Sequence, residues 1–313
     1  MSKTLGVSLI VKNEADCIRA CLESVKDADE IVIVDTGSED DTVNICKEYT
    51  KHVYSDAWDD NFARSRSISL SHCSADWILI IDADEVLKTP IRAIKKALDG
   101  YVMNKYLGIL FDVRLAFEGL QSIRIVKNIP EIQWQGAIHN TLLWTGGNLR
   151  ERCYHSSFVI ESGFSPAHKK DPDRTVRILQ KQLDRDANDT RALYYMAREY
   201  INRKDTDKVI EYLTKYFQIC WYKPWTNELA DACYLLALAY IDKKDWHSSV
   251  MYAVSAVLVL PTYRAPMIFL SAAFKGHYPL ASAYWNDLAS RANDAGILFQ
   301  RDHEKTASKI IKP

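Results

Sequence analysis

The chain has 313 residues, of which 48% are hydrophobic and 26% charged, so it can bury a sizeable core in one or two domains and is not disordered. Its 11 glycines and 9 prolines exclude collagen-like and low-complexity sequences. The net charge of −1 gives no overall attraction to nucleic acid or anionic membranes, although residues 1–160 carry −5 and residues 161–313 carry +4.

In chain order, the first half alternates strand-like and helix-like segments. Runs of β-branched and other apolar residues predict strands at residues 6–11, 30–34, 52–54 and 77–81. Apolar residues at helical spacing predict helices at residues 14–25, 42–49 and 61–72. Strands separated by helices of this length predict an α/β domain with a parallel sheet.

The second half changes character near residue 172, where the strand signals stop. Its spacing predicts helices at residues 174–185, 190–202, 207–218, 227–241, 246–259, 265–274 and 280–293. Residues 161–173 contain two prolines and are the predicted linker. The predicted domains are therefore 1–165 and 166–313.

The helical half contains an internal repeat with an offset of 40 residues. Six residues recur: Ala197, Tyr200, Ile201, Lys204, Asp205 and Tyr212 return as Ala237, Tyr240, Ile241, Lys244, Asp245 and Tyr252. Each unit reads as a helix, a tight polar turn and a second helix. Repeats of this kind are typical of helical solenoids.

The cysteines and the longest apolar run bear on location. The seven cysteines include no CxxC pair, and residues 1–11 do not resemble a signal peptide, so we expect reduced thiols in a cytoplasmic protein. The longest apolar run, residues 253–260, is too short to cross a bilayer, so no transmembrane segment is expected.

Two acidic motifs follow predicted strands. Residues 35–38 (DTGS) end the second strand, and residues 82–85 (DADE) end the fourth. Ligands of open parallel sheets bind beyond the carboxyl ends of strands, and paired carboxylates there suit Mg²⁺ or Mn²⁺ carrying a diphosphate. The chain has neither a dinucleotide glycine fingerprint nor a GxxxxGK[ST] loop, which argues against NAD-binding and P-loop proteins.

Taken in order, these motifs resemble those of family 2 glycosyltransferases with the GT-A fold. The resemblance rests on residues 8–14, 35–42, 58–66 and 77–85, and it covers most of residues 5–160. The helical repeats resemble tetratricopeptide units. This pairing resembles a bacterial and phage branch that includes peptide S-glycosyltransferases of glycocin biosynthesis and enzymes acting on lipopolysaccharide core. It implies an α/β GT-A domain, with a Rossmann-like, mixed but mostly parallel sheet, followed by an all-α tetratricopeptide-like domain.

The resemblance also implies a site for a nucleotide sugar, most often UDP-linked. Asp35 would bind the base or ribose, and Gly37 allows the tight turn after it. Asn13 and Glu14, just past the first strand, would lie on the nucleotide's other side. Trp58 is expected either to line the donor site or to pack in the core.

The metal and diphosphate residues follow from the same resemblance. Asp84 would bind Mn²⁺ or Mg²⁺ directly, and Asp82 would contact the ribose or a metal-bound water. Arg66 would face the diphosphate or orient Asp82. The divalent ion would neutralise charge that builds on the leaving diphosphate.

Residues 132–140 resemble the region of the family in which a tryptophan and a glycine precede His-Glu. His139 is expected to be a metal ligand or diphosphate contact, with a purely structural histidine as the alternative. Asn140 stands where the family has Glu, and an amide cannot take a proton from the acceptor. The remaining candidates for a catalytic base are Glu85, Asp112, Glu118 and Glu131.

The expected function is a metal-dependent, inverting transfer of a sugar to an acceptor recruited by the repeats. The acceptor is a peptide or protein side chain, a saccharide such as lipopolysaccharide core, or a modified base in phage DNA, although the charge does not indicate nucleic acid. Asn140 leaves open a non-catalytic scaffold that binds nucleotide sugars. A nucleotidyltransferase ranks lower because a glycine- and lysine-rich phosphate loop is missing. The repeat edges are compatible with a homodimer.

Overall fold

The computed structural model describes residues 2–114, 119–163, 171–220, 226–292, 303–304 and 306–307. Contacts along the chain divide it into two units, Met1–Ile178 and Leu179–Pro313. Most of the predicted linker, residues 164–170, lies outside the described residues. The predicted domain boundary between residues 165 and 166 therefore stays a prediction.

The first unit is built on one large sheet and a small ribbon. The strands of the sheet are β1 (Leu5–Val11), β2 (Glu30–Asp35), β3 (Val53–Ser55), β4 (Trp77–Ile80), β5 (Glu85–Leu87), β6 (Gly108–Arg114), β7 (Gly119–Lys127) and β10 (Cys153–Ser162). Their order is β3-β2-β1-β4-β7-β6-β10-β5, and β8 (Ile132–Gln135) pairs with β9 (Thr141–Trp144) as a separate antiparallel ribbon. Strands β3, β2, β1 and β4 are parallel, as are β6 and β10, whereas β7 and β5 run against their neighbours. The sheet is therefore mixed and mostly parallel, as predicted.

Four α-helices accompany these strands: α1 (Ile18–Val25), α2 (Thr42–Tyr49), α3 (Phe62–Ser71) and α4 (Ile91–Leu98). Nearly all of β1 is buried, and the apolar faces of α1 and α4 belong to the same core cluster. On the other face of β1, Ser8 Oγ shares a hydrogen bond of 2.7 Å with Ser69 Oγ of α3. Helices therefore cover both faces of β1, which explains its nearly continuous apolar run.

Helix α1 begins at Ile18, four residues later than predicted. The backbone N–H of Glu14 donates to Thr42 Oγ1, and that of Ala15 donates to Asp40 Oδ2. Asn13 has a left-handed backbone with φ of 56°. The chain therefore turns against the loop after β2 before the helix starts.

The strand register brings the predicted acidic motifs to one edge of the sheet. Val11, at the end of β1, lies opposite Asp35 at the end of β2. On the other side of β1, Ser8 lies opposite Ile80, the last residue of β4. Because these strands are parallel, the segments that follow them leave the sheet at the same edge.

Helices α6 to α11 lie in the second unit. They are α6 (Thr190–Asn202), α7 (Thr206–Ile219), α8 (Thr226–Asp242), α9 (Trp246–Val259), α10 (Arg264–Phe274) and α11 (Pro279–Arg291), and α5 (Arg174–Arg185) runs across the division between the units. Over the described residues the second unit contains no strand, which confirms the predicted all-α class. In the part of the chain that the structure describes, no helix has the length and apolarity needed to cross a membrane.

The turns inside the repeats have the same geometry. Lys204 and Lys244 adopt left-handed backbones with φ of 58° and 60°. Asp205 and Asp245 follow them, and each side chain accepts a hydrogen bond from the backbone N–H three residues later, at 3.1 and 3.0 Å. Each aspartate therefore caps the second helix of its pair.

The repeated tyrosines also occupy equivalent places. Tyr200 and Tyr212 stack with ring centroids 5.6 Å apart and 7° between their planes. Tyr240 and Tyr252 stack at 5.5 Å and 2°. The 40-residue sequence repeat is therefore a structural repeat of helix pairs.

Candidate active site

A cleft of about 660 Å³ opens at the sheet edge where β1 and β4 end, and we call it the sheet-edge cleft. This volume lies in the range of small-molecule sites. Seven predicted site residues line the cleft: Asn13, Glu14, Trp58, Arg66, Asp82, Asp84 and His139. Asp35, Gly37 and Glu85 are not among its lining residues.

Asp35 lies behind the cleft wall, where it organises the turn after β2. Its buried carboxylate accepts hydrogen bonds from the backbone N–H groups of Gly37, at 3.2 Å, and Ser38, at 3.1 Å. Gly37 has φ of +103°, which L-residues rarely adopt. The neighbouring Thr36 lines the cleft, so Asp35 and Gly37 shape the turn that forms this part of its wall.

Asn13 connects this turn to the end of β1. Its backbone N–H donates to Ser38 Oγ at 2.9 Å, and its side-chain oxygen accepts from the N–H of Glu39 at 2.8 Å. Residues 11–14 and 36–39 therefore form one hydrogen-bonded rim.

Two arginines form ion pairs and hydrogen bonds with the acidic residues of the motif after β4. Arg66 Nη2 donates to Asp82 Oδ1 at 2.6 Å, and Arg124 Nη1 lies 4.0 Å from Asp82 Oδ2. Arg124 Nη2 also donates to Glu85 Oε1 at 2.6 Å, and Glu85 Oε2 accepts from the backbone N–H of Asp82 at 2.9 Å. Arg66 lies over the ring of Trp134, 4.9 Å from its centroid. Asp82 is thus held between two guanidinium groups.

Glu85 is buried, with 3% of its surface exposed, and both of its oxygens accept hydrogen bonds. Burial raises the pKa of the Glu85 carboxyl to about 7, against the opposing effect of Arg124. The structure thus places this predicted catalytic residue beneath the cleft, where it supports Arg124 and the backbone of Asp82.

Asp84 and His139 reach the cleft from different segments. Asp84 is half-buried, and its carbonyl oxygen accepts from the N–H of Gly163 at 2.8 Å. His139 lies between β8 and β9 and has a left-handed backbone with φ of 48°. The carbonyl of Ala137 in the same loop accepts from the N–H of Phe62 at 2.8 Å, which fixes the loop to the start of α3.

The predicted metal ligands Asp84, Asp82 and His139 all line the cleft. Over the described residues, His, Cys, Asp and Glu side chains form no group of three that could hold a metal ion. Mg²⁺ usually takes one or two carboxylates and completes its shell with substrate phosphates and water. Asp84, with Asp82 beside it, fits that kind of site because both line a cleft large enough for a nucleotide.

Trp58 forms part of the opposite wall. Its Nε1 donates to Asp60 Oδ1 at 3.0 Å, and its ring packs edge-on against Phe62 at 4.7 Å. Both aromatic residues line the cleft. A role for Trp58 in donor binding stays a prediction.

Four cleft residues near the start of α5 were not predicted from the sequence: Asp171, Arg174, Thr175 and Arg177. Arg177 donates to Asp171 at 2.8 Å and to Asp60 at 3.2 Å. The guanidinium of Arg174 lies over the ring of Phe62, 5.5 Å from its centroid. The available signal was the spacing of the two arginines, which puts them on one face of a helix.

None of the remaining base candidates lines the cleft, over the residues that the structure describes. Asp112 accepts from Gln121 Nε2 at 3.1 Å, and Glu131 is exposed. Glu118 lies outside the described residues. Asn140 lines the cleft, and its side-chain oxygen lies 3.4 Å from Arg66 Nη1 as a hydrogen-bond acceptor.

The family model described as glycosyl transferase family 2 matches residues 7–164, half of the chain. The chain belongs to this family. The match begins within β1 and extends beyond β10, so the predicted family is confirmed and the sheet described above belongs to a family 2 glycosyltransferase domain.

Individual relatives match different shares of the chain. The SPbeta prophage-derived glycosyltransferase SunS of Bacillus subtilis is 23% identical over 261 residues, which are 80% of this chain and 61% of SunS. The chain thus spans about three-fifths of that relative's length. A TPR repeat-containing protein of Synechococcus elongatus is 39% identical over 84 residues, 26% of this chain and 21% of that protein. A crystal structure of S. aureus TarS 1-349 with UDP-GlcNAc aligns over 82% of this chain and 91% of that chain, with 13% identity and a TM-score of 0.45.

Proposed function

We propose that the protein transfers a sugar from a nucleotide sugar, with UDP as the expected nucleotide, to an acceptor. The observation that supports this most is the convergence of Asn13, Arg66, Asp82 and Asp84 on one cleft of a family 2 glycosyltransferase domain. These residues come from three segments that leave the same sheet edge, where ligands of such sheets bind.

The nucleoside would lie against the rim formed by residues 11–14 and 36–39. Backbone groups and short polar side chains there give hydrogen bonds, and Trp58 and Phe62 give an apolar wall. The diphosphate would extend toward Asp84. Arg66 and Arg174 contribute positive charge to the same cleft, which favours a substrate that carries two phosphates.

The charge that develops on the leaving diphosphate needs stabilisation for transfer to proceed. A bound Mn²⁺ or Mg²⁺ would supply it as a Lewis acid, held by Asp84 and, through a water, by Asp82. Arg66 keeps Asp82 oriented, because one of its N–H groups is bound to that carboxylate. The family resemblance implies inversion of the sugar's configuration by one direct displacement.

The acceptor proposed is a peptide or protein side chain, with a saccharide as the alternative. The helical repeats support this proposal, because stacked helix pairs form extended surfaces that bind extended partners. Asn140 lies beside Arg66 as a hydrogen-bond acceptor. This amide therefore orients groups in the cleft and does not remove the acceptor's proton.

The experiment is a binding and turnover comparison of wild type, Asp84→Asn and Asp112→Asn. A screen of nucleotide sugars by thermal shift, with Mn²⁺ or Mg²⁺, first identifies the donor. We expect Asp84→Asn to abolish release of UDP from the donor and to remove the metal-dependent part of UDP affinity. Asp112→Asn removes a carboxylate outside the cleft and should leave both unchanged. Normal turnover by Asp84→Asn, or no nucleotide binding by wild type, would contradict the proposal.

A further inference from the structure

A second cavity, of about 270 Å³, adjoins the sheet-edge cleft. The two share Arg66, Asp82 and Asn140 as lining residues. The rest of the second cavity is lined mainly by β7, by the β8–β9 ribbon and by Arg150. The Arg66–Asp82 pair therefore separates two binding spaces.

Positive charge dominates the second cavity. Three arginines line it, Arg66, Arg124 and Arg150, whereas the carboxylate among its described lining residues is that of Asp82. Arg66 is paired with this carboxylate, and Arg124 is paired with the buried Glu85 beneath it. After both pairs are counted, no carboxylate among the described lining residues compensates the positive charge of Arg150.

Hydrogen-bond donors of these arginines are also incompletely used. Arg150 forms no ion pair with any described residue, and its Nη1 makes a long bond of 3.4 Å to the carbonyl of Gln121. Arg124 Nη1 lies 4.0 Å from Asp82, beyond hydrogen-bond distance, and the buried Arg124 Nε has no hydrogen-bond partner among the described residues. Guanidinium groups in this state favour a ligand with several acceptor oxygens, such as a phosphate or a carboxylate.

We propose that the second cavity binds an anionic group, a phosphate or a carboxylate, of the acceptor. This inference rests on the proposed function, because it assigns the larger sheet-edge cleft to the nucleotide sugar. The second cavity is smaller than most sites for whole ligands. It therefore suits one charged part of a second reactant, and its shared wall places that reactant beside the site of transfer.

The experiment measures binding of matched sugars to the full chain by titration calorimetry, without nucleotide and with saturating UDP and Mn²⁺. The pairs are glucose 6-phosphate with glucose and galacturonate with galactose, which separate the phosphate from the carboxylate. The variant is Arg150→Gln. The control is Arg152→Gln, which changes an exposed arginine of the same short helical turn, Leu149–Arg152, that does not line the cavity.

We expect at least one anionic sugar to bind more tightly than its neutral partner and to remain bound when UDP is present. Arg150→Gln should weaken that binding by about fivefold, because it removes one charged donor at a partly solvated site. Arg152→Gln should leave the affinity within about twofold of wild type, because Arg152 does not line the second cavity. Equal melting temperatures for the two variants show that both are folded.

Three results would overturn the inference: equal binding of charged and neutral sugars, equal effects of the two variants, or complete displacement of the anion by UDP. Displacement would show that the anion had occupied the sheet-edge cleft. Failure of the proposed function has a different signature, because wild type would then not bind UDP at all. Anion binding that is sensitive to Arg150→Gln would in that case still support an anion site in the second cavity.

Discussion

Replacement of Arg66 by Gln tests whether the charge of Asp82 must be compensated for UDP to bind. In wild type, Arg66 donates to Asp82 at 2.6 Å and lies over Trp134, with 19% of its side chain exposed. The variant removes the positive charge but retains a polar side chain. Asp82 is then left with Arg124, whose nearest nitrogen is 4.0 Å away.

We expect Arg66→Gln to change the free energy of UDP binding more than the free energy of unfolding. With an effective dielectric constant of about 20, one uncompensated charge roughly 8 Å from a phosphate changes its energy by about 2 kcal/mol. This corresponds to about 30-fold weaker UDP binding. Loss of the ion pair and of the ring contact should lower the free energy of unfolding by about 1–2 kcal/mol, because Asp82 is partly solvated.

Calorimetric titration with UDP and Mn²⁺ measures the first quantity and urea unfolding the second. Arg64→Gln is the control, because Arg64 lies on the same helix but pairs with Asp56 and does not line the cleft. The double variant Arg66→Gln/Asp82→Asn removes both charges and, in titrations of UDP without metal, should recover most of the affinity that Arg66→Gln loses. If it binds UDP no better than Arg66→Gln, uncompensated charge on Asp82 is not the reason for the loss.

Three further variants test the turn, the buried acid and the repeats. Gly37→Ala should lower the free energy of unfolding by about 1–3 kcal/mol. Backbone strain is the only cause, since an added Cβ at Gly37 meets no atom within 4 Å. In urea unfolding, the control Gly276→Ala, where the space is equally open but φ is not positive, should change the free energy of unfolding by less than about 1 kcal/mol. Burial raises the pKa of the Glu85 carboxyl to about 7, so the folded protein holds this proton more tightly than the unfolded chain, and stability should fall as the pH rises from about 4.5 to 7. Urea unfolding across that range should show this pH-dependent loss in wild type and not in Glu85→Gln, and parallel curves for the two would contradict it. Asp205→Ala and Asp245→Ala remove equivalent helix caps, so each should lower the unfolding free energy by about 1 kcal/mol, and clearly unequal losses would argue against equivalent turns.

Local pattern was enough to predict most of the helices and the first strands. Helices α2, α5, α6 and α9 have the bounds that helical spacing predicts. Their apolar residues recur at the helical period, and polar residues such as Asp189 and Asp245 cap α6 and α9. Strands β1, β2 and β4 were predicted because burial on both faces makes them continuous apolar runs.

The strands after residue 81 were not predicted, because they lack the continuous apolar runs of β1, β2 and β4. β7 and β10 contain many polar residues and run in the mixed part of the sheet. In β10, buried residues are separated by exposed ones, and its pairing with β6 shifts register between His155 and Val159. Such strands are specified by their neighbours more than by their own composition.

The residues of the candidate site also fall into those that local pattern predicts and those that only tertiary contacts bring together. The acidic motifs were found because they directly follow apolar strands, and the repeat was found because it returns after a fixed interval. Arg124 was missed although it touches Glu85, since 39 residues separate them, and Arg177 was missed although it pairs with Asp60, 117 residues away.

The sequence thus determined the order of the elements, the family and the acidic residues at the sheet edge, because each is recorded in residues close together along the chain. Tertiary structure decided which charges meet. It places Asp82 between two arginines and buries Asp35 and Glu85 behind the cleft wall. It also forms a second, positively charged cavity beside the first. These outcomes depend on strand order and register, which bring distant side chains within a few ångströms of one another and which no local pattern contains.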